Sequence, residues 1–174
     1  MARRLTLRLK PVVDSEHVVQ VEGHLWLNQA LAVRPYDRIP LLLEKKNVIV
    51  NPRERYARNV KLMRFDMNMA SATLAKEALE DHGYETGDTA ELLALAAAEP
   101  ELLRKFQLCA LRSVWQEFYR RFASPPQAWL DPVFLGAYEK NGNRILCLNG
   151  FNGMRYDNAD SRFLAYTREA EDDD

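Results

Sequence analysis

The spacing of apolar positions changes character along the chain. Leu5, Leu7 and Leu9 alternate with Thr6, Arg8 and Lys10, and a period of two predicts a strand over Leu5–Val13. Val18–Glu22, Leu25–Leu31, Ile39–Leu43 and Val48–Val50 read as further strands, the last two joined by a turn at Glu44–Asn47. Asn51-Pro52-Arg53-Glu54 has the form of a helix start, with Asn as N-cap, Pro in the first helical position and Glu three residues after the cap. From Pro52, an apolar stripe of Tyr56, Val60, Met63, Met67, Ala70, Leu74 and Ala78 predicts one long helix that His82-Gly83 closes. The alternation in Phe65–Met69 leaves a strand there, followed by a Ser71-capped helix to Asp81, as the alternative.

Asp88-Thr89-Ala90-Glu91 starts a short helix to Ala98, and Glu99-Pro100-Glu101 starts a longer one through Phe122. Leu103, Phe106, Ala110, Val114 and Phe118 form its stripe, which predicts the core helix of the protein. After Ser124-Pro125-Pro126, a short helix is expected from Asp131-Pro132 to Asn141-Gly142, with Trp129, Phe134 and Tyr138 packing over the core. Arg144–Asn149 and Arg162–Thr167 read as two strands of a C-terminal hairpin, the first apolar on both faces and so expected in the sheet centre. The predicted class is α+β. One domain spans 1–168, its N-terminal strand cluster and C-terminal hairpin forming a mainly antiparallel sheet against a helical middle, with 169–174 a disordered acidic tail.

Length and composition narrow the class without naming a function. A chain of 174 residues buries roughly 70% of its unfolded surface. Its 47% hydrophobic and 28% charged residues are ordinary for a globular domain. The longest apolar run, Leu92–Ala98, is seven residues, against the ~20 a membrane-spanning helix needs, so no membrane partner is expected. No apolar segment follows Arg3 and Arg4, and Cys109 and Cys147 show no metal-binding or disulfide spacing. A cytoplasmic or other reducing intracellular compartment is the expectation.

Charge changes the picture more. Residues 1–70 hold 13 Lys+Arg against 7 Asp+Glu, whereas residues 71–174 hold 11 against 18. Arg53, Arg55, Arg58, Lys61 and Arg64 crowd the start of the expected long helix, an order that opposes the helix dipole. Helix stability does not explain them, which points to a phosphate backbone or an acidic protein face. Arg34 and Arg38 flank Tyr36 and extend the candidate surface.

Catalytic signals are sparse. His17 and His24 are seven apart and point to opposite faces of one continuous strand, and His82 sits at a helix end, so all three read as structural. No phosphate-cradling glycine loop or nucleophile elbow occurs. Asn149-Gly150-Phe151-Asn152-Gly153, with Asp157, Asn158 and Asp160, reads as a polar connection and lacks the spacing of a calcium loop. Asp37, Glu44 and Lys46, preceded by Leu41-Leu42-Leu43, do form a D-x6-E-x-K pattern. It resembles the metal-site motif of the restriction-endonuclease-like nuclease superfamily, which implies Mg²⁺ held by Asp37 and Glu44 with Lys46 orienting water.

The leading expectation is a non-enzymatic interaction module, an assembly, adaptor or regulatory subunit, needing no cofactor or metal. Its basic N-terminal half would contact an acidic protein surface or a nucleic acid through Arg34, Arg38, Arg53, Arg55, Arg58, Lys61 and Arg64. A Mg²⁺-dependent nuclease and a structural component of a viral or other large assembly are the alternatives.

Overall fold

The computed structural model describes residues 9–40, 43, 48–66, 72–114, 134–149 and 160–168. Two long strands set its frame. β1 (Pro11–Val21) pairs antiparallel with β4 (Tyr56–Phe65) from Pro11 opposite Phe65 to Val21 opposite Tyr56, with a bulge between Val13 and Ser15. Between them lie β2 (Leu25–Trp26), α1 (Leu27–Val33) and β3 (Ile49–Asn51), with β2 and β3 forming a separate two-stranded ladder. The chain continues through α2 (Ala72–Asp81), β5 (Tyr84–Thr86), α3 (Thr89–Ala98) and α4 (Glu101–Lys105). β6 (Gln107–Val114), β7 (Phe134–Lys140), β8 (Asn143–Asn149) and β9 (Ser161–Thr167) complete it. The main sheet runs β1-β4-β9-β6-β7-β8, and β5 also pairs with β9. Among the paired strands described, only β6 and β9 run parallel. The fold is α+β, with a mainly antiparallel mixed sheet and helices packed against it. Among the described residues no helix is long and apolar enough to cross a membrane.

Both faces of this sheet are covered, and alternate residues of one strand feed two cores. Val60 and Leu62, Leu108 and Ala110, and Leu164 pack on the side of α1 and α3. Met63 and Phe65, Cys109 and Leu111, and Phe163 and Ala165 pack on the side of α2, against Ala72, Ala75, Ala78 and Leu79. Strands buried on both faces become continuous apolar runs, and such runs share their spacing with helical stripes. That coincidence overturns three sequence expectations. Residues 56–65 are strand, and among the described residues only the Ala72–Asp81 part of the expected long helix is helical. The expected core helix ends at Lys105, and Leu108, Ala110 and Leu111 belong to β6. Residues 134–140 are strand, and Asn141-Gly142, expected as a helix end, turns the β7–β8 hairpin with φ of 54° and 78°.

The cap signal at Asn51 has a different local origin. Its Oδ1 accepts the Arg53 N–H at 3.0 Å, as a cap would, but its Nδ2 donates to the Glu22 carbonyl at 2.8 Å and ties a turn to the end of β1. The same side-chain bond serves turns and helix starts. Leu25–Leu31, expected as strand, is two residues of β2 followed by α1. The C-terminal pair is no hairpin either: β9 sits centrally between β4 and β6, while β8 lies at the far end of the sheet. That edge is met by the Asp37-Arg38 segment, with Leu146 N–H donating to the Arg38 carbonyl at 2.9 Å. The short helix from Asp88 and the helix end at Gly83 (φ +81°) stand as expected. Residues 5–8 of the first expected strand, the Glu44–Asn47 turn, Phe118 and Phe122, Trp129, residues 150–159 and the acidic tail lie outside the described residues.

Phe163 is fully buried and meets Phe65 edge to face at 5.7 Å. Phe163→Ala is therefore expected to cost about 3–5 kcal/mol in urea unfolding. Val18→Ala, at a position 68% exposed, is expected to stay within about 0.5 kcal/mol.

Candidate functional site

The site grows from the start of α3. Asp88 caps the helix by accepting the Glu91 N–H at 3.0 Å, and Glu91 Oε2 accepts the Asp88 N–H at 2.9 Å. This capping box places a carboxylate where solvent does not reach, for Glu91 is fully buried. Burial pushes the Glu91 carboxyl up and the neighbouring Asp88 charge adds to this; the Asp88 N–H, Arg58 and Tyr56 pull it back. Tyr56 donates its hydroxyl to Glu91 at 3.2 Å, and Arg58 Nη1 lies 3.2 Å from Glu91 Oε1.

Arg58 is held from several sides. Its guanidinium lies 5.1 Å from the Tyr56 ring centre and 4.0 Å from that of Tyr166, within cation–π range. Burial works against its charge, but Glu91 and the two phenols outweigh burial and leave its pKa raised. The contact with Glu91 is one of charge and not of alignment: the buried Arg58 Nη1 makes no hydrogen bond among the described residues. Beyond it, the Tyr166 hydroxyl donates to Glu85 Oε2 at 2.8 Å and accepts from Arg112. Arg112 and Arg168 lie 3.4 and 3.7 Å from the same carboxylate. Burial, with the bond to Glu85, pushes the Tyr166 phenol up to about 12.

The β4–β9 ladder pairs Lys61 with Ala165, and no pairing continues beyond it toward Tyr56. A cavity of about 510 Å³ opens at this point, lined by Ala57, Arg58 and Asn59 of β4, Tyr166 and Thr167 of β9, and by Arg53, Lys61, Glu85 and Arg112. Four cationic side chains thus face it against one carboxylate. Lys61 also meets Glu16 at 3.1 Å, and the bonds from Lys61 and Asn59 hold the Glu16 carboxyl below its usual range.

Of the residues singled out from sequence, Arg53, Arg58 and Lys61 therefore come together. Arg55 lies apart, exposed and 3.6 Å from Glu22. Arg64 stands near the opposite end of β4, against Asp66 at 2.6 Å and Asp14 at 3.7 Å. Arg34 is exposed at the end of α1, and Arg38 flanks β8. The arginine that stacks on Tyr36 is Arg144, at 4.6 Å. Asp37 accepts the Arg144 N–H at 2.7 Å, while Glu44 and Lys46 lie outside the described residues. Among the described residues no three His, Cys, Asp or Glu side chains are grouped to hold a metal. Arg112, Tyr166, Glu85 and Glu91 were missed in the sequence. Arg112 interrupts an apolar run, a signal that gains meaning once 107–114 is read as strand.

Glu91→Ala leaves the Arg58 charge without its partner and breaks the capping box, and is expected to cost about 3–5 kcal/mol in urea unfolding. The raised Tyr166 phenol has a second consequence. Unfolded, it ionises near 10.0, and folded it holds its proton to about 12. The corresponding stability is present below pH 10 and is lost as pH rises toward 12. Urea midpoints are expected to fall across that window, and Tyr166→Phe should make the fall shallower; equal slopes would contradict the assignment.

Comparison with family models, with curated proteins and with solved structures finds no match in any of the three.

Proposed function

We propose that this chain works by contact, as an interaction module that binds nucleic acid through the cavity between β4 and β9. The observation that carries the reading is the convergence of Arg53, Arg58, Lys61 and Arg112 on one concave opening that holds a single carboxylate. Arg58, Lys61 and Arg112 are paired with Glu91, Glu16 and Glu85, yet only Glu85 of these acids lines the opening with them and Arg53, and donors gathered around a concave site give an anion a place to sit. The volume of about 510 Å³ is that of a small-ligand pocket. It suits one phosphate with its sugar or base better than the broad backbone of a duplex. Arg58 turns its buried Nη1 toward Glu91 and remains 25% exposed along the cavity, and arginine suits phosphate through its planar fork of donors. Single-stranded nucleic acid, with phosphates accessible one at a time, is the polymer that fits.

The test is fluorescence anisotropy with labelled single-stranded and duplex DNA and RNA at about 50 and 200 mM salt. Single strands are expected to bind more tightly, and binding to weaken as salt rises. Arg53→Ala and Lys61→Ala should each weaken it and lower the salt slope by about 0.7 per lost phosphate contact. Poly-glutamate bound in place of nucleic acid would move the reading to an acidic protein. Binding to neither, or binding unchanged in both variants, would overturn it.

A further inference from the structure

A second constellation joins β1 to the end of α3, and none of its residues lines the cavity. Ser15 Oγ is 2.8 Å from His17 Nε2, and His17 Nδ1 is 2.8 Å from Glu99 Oε1. An ionised carboxylate only accepts, so Glu99 takes the Nδ1 proton in its hydrogen bond. That leaves Nε2 as the acceptor for the Ser15 hydroxyl. Hydroxyl, imidazole and carboxylate are then joined in the order, and through the ring nitrogens, that nucleophilic acyl transfer needs.

The fold fixes each member. Ser15 and His17 are two apart on one strand and share a face, and the bulge between Val13 and Ser15 sets where that face begins. Glu99 ends α3, its N–H bonded to the Leu95 carbonyl at 2.8 Å and its carbonyl accepting from Leu102 at 3.1 Å. The His17 side chain is 11% exposed and that of Glu99 34%, with Ser15 half-buried, so an incoming group can reach the hydroxyl while the imidazole stays sheltered. Among the described residues β1 pairs only with β4 and no strand pairs its other edge, where backbone N–H groups are the kind of donor a developing oxyanion uses.

We propose that Ser15 is a nucleophile for carboxylic esters, with His17 as its general base and Glu99 as the residue that positions His17. Ser15 Oγ attacks the ester carbonyl and its proton passes to His17 Nε2. The carbon–oxygen bond to the leaving alcohol breaks, and His17 returns the proton to that alcohol. Water, deprotonated by His17, then attacks the acyl-serine, releasing the carboxylic acid and restoring the hydroxyl. This activity is independent of nucleic-acid binding at the cavity.

The test uses the full chain and a fluorophosphonate probe, in which Ser15 Oγ forms a bond to phosphorus, fluoride leaves and His17 takes the proton. Labelling is located by mass spectrometry, and release of p-nitrophenol from p-nitrophenyl acetate is followed in parallel. Label is expected on Ser15, with both readouts lost in Ser15→Ala and slowed roughly a hundredfold in His17→Gln. Glu99→Gln keeps the shape and removes the charge. It should slow labelling at an unchanged melting temperature, and Glu99→Asp should recover part of the rate. No label on Ser15, or equal labelling rates in wild type and His17→Gln, would overturn the proposal.

Discussion

A carboxylate that solvent never reaches governs this molecule. Glu91 is placed in the interior by the capping box that starts α3, and it is fully buried. An uncompensated charge in such a position costs several kcal/mol, so the strand beneath the helix must supply a partner. Arg58 and Tyr56, two apart on β4 and hence on one face of the sheet, do so. The need for a partner fixes which face of β4 looks toward α3. Lys61, three residues on from Arg58, pairs with Glu16 and still lines the cavity, where the β4–β9 ladder has opened.

The cavity follows from the same constraint. Arg58 is drawn toward Glu91 and over the rings of Tyr56 and Tyr166, at the stretch where β4 has left its ladder with β9. Arg112 and Arg168 gather around Glu85 on the neighbouring strands. These cations have structural anchors: Glu91 and Glu16 lie outside the lining, and Glu85 lines the opening together with the donors. A site built this way stays in place without its ligand, since its arginines are ordered by aromatic faces and acids of the fold and not by the anion they would meet.

How much of this was legible in the sequence depends on which physical signal carried it. Where one local bond or backbone conformation decided the outcome, reading succeeded: Asp88 and Glu91 cap α3, and Gly83 closes α2. Where the outcome rested on what covers the second face of a sheet, reading succeeded for Arg162–Thr167 and failed for two other runs. Leu108–Leu111 and Val60–Phe65 are apolar on nearly consecutive positions because helices lie on both sides, and no residue within those segments reports that. Asn51 shows the same limit, since one Oδ1 to N–H bond begins a turn as readily as a helix. The basic residues were found by charge alone, which grouped Arg53, Arg58 and Lys61 with arginines that the fold sends elsewhere. Arg112, Tyr166 and Glu85 come from far along the chain and meet them only through the order of β4, β9 and β5.

The most direct measurement is a titration of ¹⁵N-labelled protein with a short single-stranded oligonucleotide, following backbone amides and arginine side-chain Nε–H signals. The account predicts shifts centred on Arg53, Arg58, Lys61, Arg112 and Thr167, with Arg34, Arg38 and Arg64 little changed. Shifts spread evenly over all the arginines, or centred on Arg34 and Arg38, would contradict it.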